Sequence, residues 1–244
     1  MADQARAAGF GGWKASALAG IGGLTIGALG VGGYHAWRGP DQAATEAFVR
    51  DYILDHGEIL QQSVERMQLR QAASTVAQHR QALETPFHGS WAGAANGDVV
   101  LVEFFDYACG YCRASNADVD RLLREDPRLK VVWRELPVLG PDSQAAAFVS
   151  LGAARQGRFR PFHDRMFALG RPTETVVSQA VADAGVTREG QTADARAELA
   201  RNFELARTIG ATGTPTFVVG DRVLQGAVGY EALKAAIAGA RTRG

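Results

Sequence analysis

Cys109 and Cys112 are the only cysteines in the chain, and they lie three positions apart. A closed structural zinc site needs four ligands, and the five histidines are scattered without a metal-ligand spacing. One cysteine of such a pair can form a mixed disulfide with a substrate, and the other can then release that substrate. The pair therefore predicts thiol–disulfide exchange, with no metal and no bound cofactor.

The elements on either side of the pair are predicted to place it at the start of a helix. Residues 99–105 are apolar on both faces, as in a central strand of an α/β sheet. A helical pattern follows over residues 113–125. Cys109 would then lie where unpaired backbone N–H groups and the helix dipole stabilise a thiolate. Cys112, one turn further along, would be close enough to attack a mixed disulfide.

Glu103 is the charged residue inside the apolar strand, six positions before Cys109. A buried carboxyl group at this position would have a raised pKa and could exchange a proton with Cys112. The alternative is an acid at the strand end that reaches solvent. We favour the proton-transfer role.

Thr214 and Pro215 precede a second apolar run, residues 216–219. Proline cannot donate a hydrogen bond to a strand ladder, so Pro215 marks the start of a strand. If the Thr214–Pro215 bond is cis, the Thr214 backbone can lie beside the two sulfur atoms. An extended substrate segment could then pair with that backbone.

The N-terminal part predicts a membrane segment. Residues 15–37 carry no Asp, Glu, Lys or Arg. As a helix they would span roughly 34 Å, against a hydrocarbon core of about 30 Å. Basic residues before this stretch predict that residues 1–14 are cytoplasmic and that the chain after Arg38 lies outside. The alternative is a signal peptide that is cleaved near Ala28-Leu29-Gly30.

Residues 38–84 predict a helical stalk. From residue 41 to residue 83 there is no proline, and Gly57 is the single glycine, at which we expect the helix to break. Ile53, Leu60 and Met67 recur every seven residues. This stripe predicts either a homo-oligomer formed through residues 41–83 or a helical pair packed on the globular domain.

The charge balance excludes one class of partner. The chain has 26 basic and 26 acidic residues, without a long Lys/Arg run. We therefore expect no nucleic acid partner.

Three segments carry a resemblance to a known family. The chain resembles the DsbA-like branch of the thioredoxin superfamily in residues 104–112, in residues 214–217, and in residues 139–143 with the later Phe162-His163-Asp164. Upstream, residues 49–54 and 58–60 are similar to its ScsC/Com1-type subgroup. The resemblance implies an α/β thioredoxin fold over residues 85–244, with a helical insertion at about 142–209.

The resemblance also implies roles and elements. It implies that Cys109 is the attacking cysteine, Cys112 the resolving cysteine, Glu103 the buried acid and Pro215 the cis-proline. His163 is expected to be structural. A turn-rich connector is expected over residues 85–97. The further elements expected are a strand at 130–137, insertion helices at 145–155, 159–168, 175–184 and 193–208, a hairpin of 216–219 with 222–225, and a closing helix at 230–240.

Gly110 and Tyr111, between the cysteines, are expected to tune the redox chemistry together with Thr214. Tyr111 and Thr214 are similar to isomerase-like members of the family, whereas strong oxidants usually carry His and Val there. The resemblance thus favours a disulfide isomerase or reductase, with a dithiol oxidase as the close alternative. A Cu(I)-handling protein ranks last, because the methionines are remote from the cysteines in sequence.

These inferences together predict an enzyme of the bacterial inner membrane with one membrane pass and a periplasmic catalytic domain. A soluble periplasmic protein would result if the signal were cleaved. Its expected partners are exported proteins that contain cysteine and a membrane thiol reductant or oxidant.

Overall fold

A computed structural model describes residues 42–189 and 191–242, which fall into two compact units, one up to Ser63 and one from Val64 onward. In the first unit, helix α1 (Gln42–Asp55) ends before Gly57, and helix α2 (Glu58–Glu84) begins after it, as the sequence predicts. In these two ranges no helix is long and apolar enough to cross a membrane. The predicted anchor at residues 15–37 lies outside the described residues.

The second unit is built on a five-stranded sheet in the order β1-β3-β2-β4-β5. The strands are β1 (Trp91–Gly93), β2 (Val99–Phe105), β3 (Leu129–Glu135), β4 (Thr216–Val219) and β5 (Arg222–Gln225). β2 and β3 are parallel, and the other neighbouring pairs are antiparallel. β2 is therefore central, and its residue Glu103 lies in register with Trp133 on one side and Phe217 on the other.

Both faces of the sheet are covered, which explains why β2 is apolar on both faces. Besides α2, the described residues place six helices around the sheet: α3 (Gly110–Glu125), α4 (Pro141–Arg155), α5 (Phe159–Leu169), α6 (Glu174–Ala184), α7 (Ala193–Thr208) and α8 (Tyr230–Arg241). Leu101 and Phe105 pack into a core with side chains of α3 to α6 and α8. Val102 and Phe104 face the other way, into a core closed by α2 and α7.

The four helices α4 to α7 form the expected insertion between β3 and β4, and the β4–β5 hairpin turns at Gly220, whose φ is +57°. Only a residue without a Cβ adopts this left-handed conformation at no cost. The result is the thioredoxin-like α/β fold with a helical insertion that the sequence predicts.

Several elements differ from the expectation, among them β3, which ends at Glu135 rather than at residue 137. The turn-rich connector contains the short strand β1, which pairs with the edge of β3 and is too short to show an alternating pattern. Helix α3 begins at Gly110 rather than at residue 113. Helix α4 begins at Pro141 rather than near residue 145, because proline is favoured in the first turn, where its missing N–H is not needed.

The C-terminal part of α2 belongs to the catalytic unit. Val76 and Leu83 are buried in the core that α2 shares with the sheet. The buried Arg134 guanidinium donates hydrogen bonds to the carbonyls of Leu83 (3.0 Å) and Thr85 (2.7 Å) at the end of this helix. The C-terminal end of α2, with Val76 and Leu83, thus packs on the globular domain.

Candidate active site

Cys109 lies at the N-cap of helix α3, directly after the turn that follows β2. The turn is closed by Asp106, whose backbone carbonyl accepts the Cys109 N–H at 3.0 Å and whose Oδ1 accepts the Ala108 N–H at 2.7 Å. The Cys109 sulfur in turn accepts the backbone N–H of Cys112 at 3.4 Å. The attacking cysteine predicted from the sequence therefore occupies the helix terminus where a negative charge is most stabilised.

The surroundings of Cys109 lower the pKa of its thiol to about 5. The largest cause is the Cys112 thiol, which donates a hydrogen bond to the Cys109 sulfur, and burial partly opposes it. Hydrogen bonds from Thr214 and from the backbone N–H groups of Cys112 and Tyr111 lower the pKa further. Cys109 is therefore mostly a thiolate at neutral pH.

The Thr214–Pro215 peptide bond is cis, and the Thr214 carbonyl oxygen lies 3.2 Å from the Cys109 sulfur. This carbonyl accepts a hydrogen bond from the thiol form of Cys109, whereas the Thr214 side chain lowers the pKa of that thiol. The Pro215 carbonyl accepts the Gly226 N–H at 2.8 Å, which holds the residue at the end of the β4–β5 hairpin. The structure thus brings Thr214 and Pro215 beside Cys109, although they are over 100 positions away in sequence.

Cys112 is fully buried one turn into α3, and burial raises the pKa of its thiol far above the usual range. The neighbouring Cys109 sulfur and the Glu103 carboxylate add to this effect. Cys112 consequently keeps its proton until a base removes it.

Glu103 is fully buried in β2, so it is not an acid that reaches solvent at a strand end. Burial raises the pKa of its carboxyl group to about 8, although a hydrogen bond from the Trp133 indole opposes the rise. That Nε1–Oε2 distance is 2.9 Å. A carboxyl group with such a pKa has a proton affinity much closer to that of a thiol than an exposed carboxyl group has, so it can exchange a proton with a cysteine.

The two residues between the cysteines face outward. Tyr111 is 72 % exposed. A Cβ at Gly110 would meet no atom within 4 Å, so the space around Gly110 does not require a glycine. Val138 and Leu139, in the loop after β3, are also exposed, and the Leu139 N–H is held by Asp106 Oδ2 at 2.9 Å. Tyr111, Val138 and Leu139 thus present apolar surface in the region of the site.

His163 is buried among aromatic rings on helix α5, with Phe105, Trp133 and Phe159 as neighbours. Its Nδ1 lies 3.4 Å from the Tyr107 hydroxyl. Burial lowers the pKa of the imidazole well below its usual value, so the ring is neutral. These surroundings support the structural role expected for it.

Four residues near the site were not predicted. Asp106 ties the active-site turn to the loop after β3, and Trp133 contacts Glu103. Arg160 lies over the Trp133 ring, at 4.6 Å from its centroid. Gln225 accepts the Thr212 N–H at 3.2 Å and so fixes the loop before Pro215. A parallel pairing of β2 with β3 would have aligned Trp133 with Glu103. The other three contacts join segments that no local sequence pattern brings together.

Within residues 42–189 and 191–242, no cluster of three or more His, Cys, Asp or Glu side chains could hold a metal ion. The site provides a stabilised Cys109 thiolate, a buried and protonated Cys112 thiol, and a buried Glu103 carboxyl group that can exchange a proton. This set can form and resolve a mixed disulfide with a polypeptide.

Comparison with known proteins gives a family for this arrangement. The model of the DSBA-like thioredoxin domain matches residues 100–238. A thioredoxin-like oxidoreductase from Silicibacter pomeroyi is similar at 37 % identity, over 62 % of this chain and 91 % of that protein, with a TM-score of 0.60. A linker-deletion variant of ScsC from Proteus mirabilis is similar at 26 % identity, over 85 % of this chain and 100 % of the other, with a TM-score of 0.69.

A curated relative is of another kind. The Na⁺/H⁺ antiporter NhaA 3 of Salinispora tropica is 33 % identical over 153 residues, which are 59 % of this chain. The match spans 24 % of the antiporter, so the chain covers about a quarter of the length of that relative.

Proposed function

Because the chain belongs to the family of DSBA-like thioredoxin domains, we propose that it is a thiol–disulfide oxidoreductase acting on exported proteins that contain cysteine. One observation carries this proposal. The Cys109 sulfur lies at a helix N-terminus, 3.2 Å from the carbonyl that precedes a cis-proline, with the Cys112 thiol buried beneath it. The enzyme needs no cofactor besides its own dithiol and disulfide.

The reaction follows from the two pKa values. The Cys109 thiolate attacks a substrate disulfide, forms an S–S bond to one sulfur and releases the other as a thiolate. Glu103 takes the proton of Cys112, whose thiolate then attacks the Cys109 sulfur. The Cys109–Cys112 disulfide forms, and the substrate leaves reduced by two electrons. The same steps in reverse oxidise a substrate dithiol.

We favour isomerase or reductase activity over net oxidation. The exposed Tyr111 side chain brings no positive charge beside the Cys109 sulfur, and Thr214 is typical of isomerase-like members. The high pKa of Cys112 slows resolution, so a mixed disulfide has time to be attacked by another thiol of the substrate. This gives the substrate an opportunity to rearrange its disulfides.

Oxidase activity is the second candidate, and the low pKa of Cys109 favours it. A stabilised thiolate stabilises the reduced enzyme, which makes its disulfide a stronger oxidant.

Refolding of scrambled ribonuclease in a mild glutathione buffer tests the direction. An isomerase restores ribonuclease activity, and the Cys109→Ser variant does not. A protein that restores no activity and has a strongly oxidising reduction potential would instead be the oxidase.

The proposed location is the bacterial inner membrane. The uncharged stretch at residues 15–37 supports a single membrane anchor, with residues 1–14 in the cytoplasm and the domain of residues 85–244 in the periplasm. A membrane thiol reductant or oxidant would then renew the active-site pair. The alternative remains a soluble periplasmic protein after cleavage of a signal peptide.

We also propose that residues 41–83 mediate self-association. In the first unit, Phe48, Val49, Tyr52, Leu54 and Leu60 are exposed, and at the start of the second unit Val64, Met67 and Leu69 are exposed. Apolar side chains at this density on helices support contact with another copy of the chain.

A further inference from the structure

The two oxygens of the buried Glu103 carboxyl group differ in their surroundings. Oε2 accepts a hydrogen bond from the indole Nε1 of Trp133 at 2.9 Å. Oε1 has no hydrogen-bond partner in the part of the chain that the structure describes. Since Trp133 is in register with Glu103 on the adjacent strand, the indole fixes the orientation of the carboxyl group. One oxygen is thereby held, and the other is left available for a proton.

The Trp133 ring is itself held from several sides. The Arg160 guanidinium lies 4.6 Å from the ring centroid, and Phe159 and His163 pack at 5.7 and 5.3 Å. Arg160 is fixed in turn by Asp120 of α3 at 2.9 Å and by Asp164 of its own helix at 3.1 Å. A chain of contacts therefore runs from the surface through the indole to Glu103.

The charges that face Glu103 come from several elements. Arg160 of α5 lowers the pKa of the carboxyl group, whereas Cys109 and Asp120 of α3 raise it. From β3 the contact is Trp133, and β4 places the apolar Phe217 in register with it. His163 is neutral, and Asp164 is paired with Arg160. Arg160 is thus the cation that opposes the effect of burial.

We propose that Trp133 and Arg160 are positioning residues for proton transfer, which keep Glu103 Oε1 free and favour the ionised form of the carboxyl group, the form that takes the proton of Cys112. This inference rests on the proposed function, because it concerns the resolving step. In that step the Cys112 S–H bond breaks and an O–H bond forms on Glu103. The Cys112 thiolate then forms the bond to the Cys109 sulfur, and the bond from Cys109 to the substrate sulfur breaks.

The test follows the resolving step directly. A mixed disulfide between Cys109 and a cysteine-containing peptide is formed rapidly, and release of the peptide is followed by stopped flow between pH 5 and 10. The full chain is compared with Trp133→Phe, which keeps an aromatic ring but loses the N–H donor. Trp91→Phe is the matched control, since Trp91 lies on β1 beneath Lys130 and does not contact Glu103.

In the unchanged protein the release rate rises with pH as Glu103 loses its proton. Removing the indole donor raises the pKa of Glu103, so the midpoint of this rise moves upward by about one pH unit in W133F. Below the midpoint, the release rate falls about tenfold. In W91F the midpoint is unchanged. In the Glu103→Gln background, W133F has no further effect.

A purely structural role of Trp133 would give a different result. If W133F shows the midpoint of the unchanged protein, or slows release equally in the Glu103→Gln background, the inference is wrong. Should W133F fail to fold, Arg160→Gln tests the inference in its place. This variant must shift the pH midpoint of peptide release upward, and Arg160→Lys must restore that midpoint. An unchanged protein that forms no mixed disulfide would overturn the proposed function instead.

Discussion

Two thiols separated by two residues differ widely in proton affinity in this protein. Cys109 receives hydrogen bonds at the start of a helix, which lowers its pKa to about 5. Cys112 lies one turn deeper without solvent, and burial raises its pKa. The difference makes Cys109 the nucleophile and leaves Cys112 as a thiol that needs a base. Glu103 meets that need because burial gives it a pKa of about 8.

Glu103 should therefore destabilise the fold as the pH rises. Its pKa is raised from 4.5 to about 8 in the folded protein, so between these values the unfolded chain releases a proton that the folded chain retains. Unfolding becomes easier over that window. We predict that Glu103→Gln stabilises the reduced protein by about 3 kcal/mol at pH 7 and by much less at pH 4.5.

Urea unfolding at several pH values measures this effect. The control is Glu65→Gln on the exposed surface of α2, which should change stability little at any pH. A gain for Glu103→Gln that does not depend on pH would show that the carboxyl group is not held in its protonated form.

At the scale of elements, the repeating patterns gave reliable predictions and the packing of unlike elements did not. The apolar run of β2, the bounds of α7 and the β4–β5 hairpin could be predicted from the sequence and its resemblance to a family. The strand β1 could not, because three residues carry no period. Nor could the contact of Arg160 with Trp133, since it joins an insertion helix to a strand.

Arg134 joins several elements of the catalytic unit. It forms an ion pair with Glu198 at 2.9 Å, with both side chains buried, and it donates to carbonyls at the end of α2. Its loss would leave the buried Glu198 Oε1 and the carbonyls of Leu83 and Thr85 without this donor. We predict that Arg134→Met destabilises the protein by about 3 kcal/mol in urea unfolding.

Arg201 provides the matched comparison, because it pairs with the same Glu198 at 2.9 Å while its side chain is 60 % exposed. Arg201→Met should cost less than about 1 kcal/mol, since solvent screens an exposed pair. Equal losses for the two variants would contradict the assignment of Arg134 as the residue that joins α2 to the domain.

At the scale of the whole molecule, the two units contribute different properties. The catalytic unit from Val64 onward holds every residue of the proposed site, whereas the described part of the first unit holds exposed apolar side chains and no site residue. Our two function proposals differ in oligomeric state: we propose self-association through residues 41–83 together with isomerase activity, and a single chain together with oxidase activity.

The exposed stripe makes the oligomeric state testable. We predict that light scattering of residues 38–244 gives the mass of more than one chain, and that Leu60→Ser with Met67→Ser reduces it to that of one chain. Both side chains are 55 % exposed, so the change should leave the fold of the catalytic unit intact. The control pair Gln62→Ser with Glu65→Ser, off the stripe, should keep the larger mass. If the unchanged protein has the mass of a single chain, the proposed self-association is wrong.

Trapping of a mixed disulfide tests the central claim, thiol–disulfide exchange with Cys109 as the attacking residue, most directly. The Cys112→Ser variant, incubated with a peptide that contains one disulfide, lacks the resolving thiol and should accumulate one peptide on Cys109, as read by mass spectrometry. The Cys109→Ser variant should accumulate almost none at neutral pH, because the Cys112 thiol is buried and protonated. Absence of the adduct in Cys112→Ser, or an equal adduct in both variants, would contradict the account.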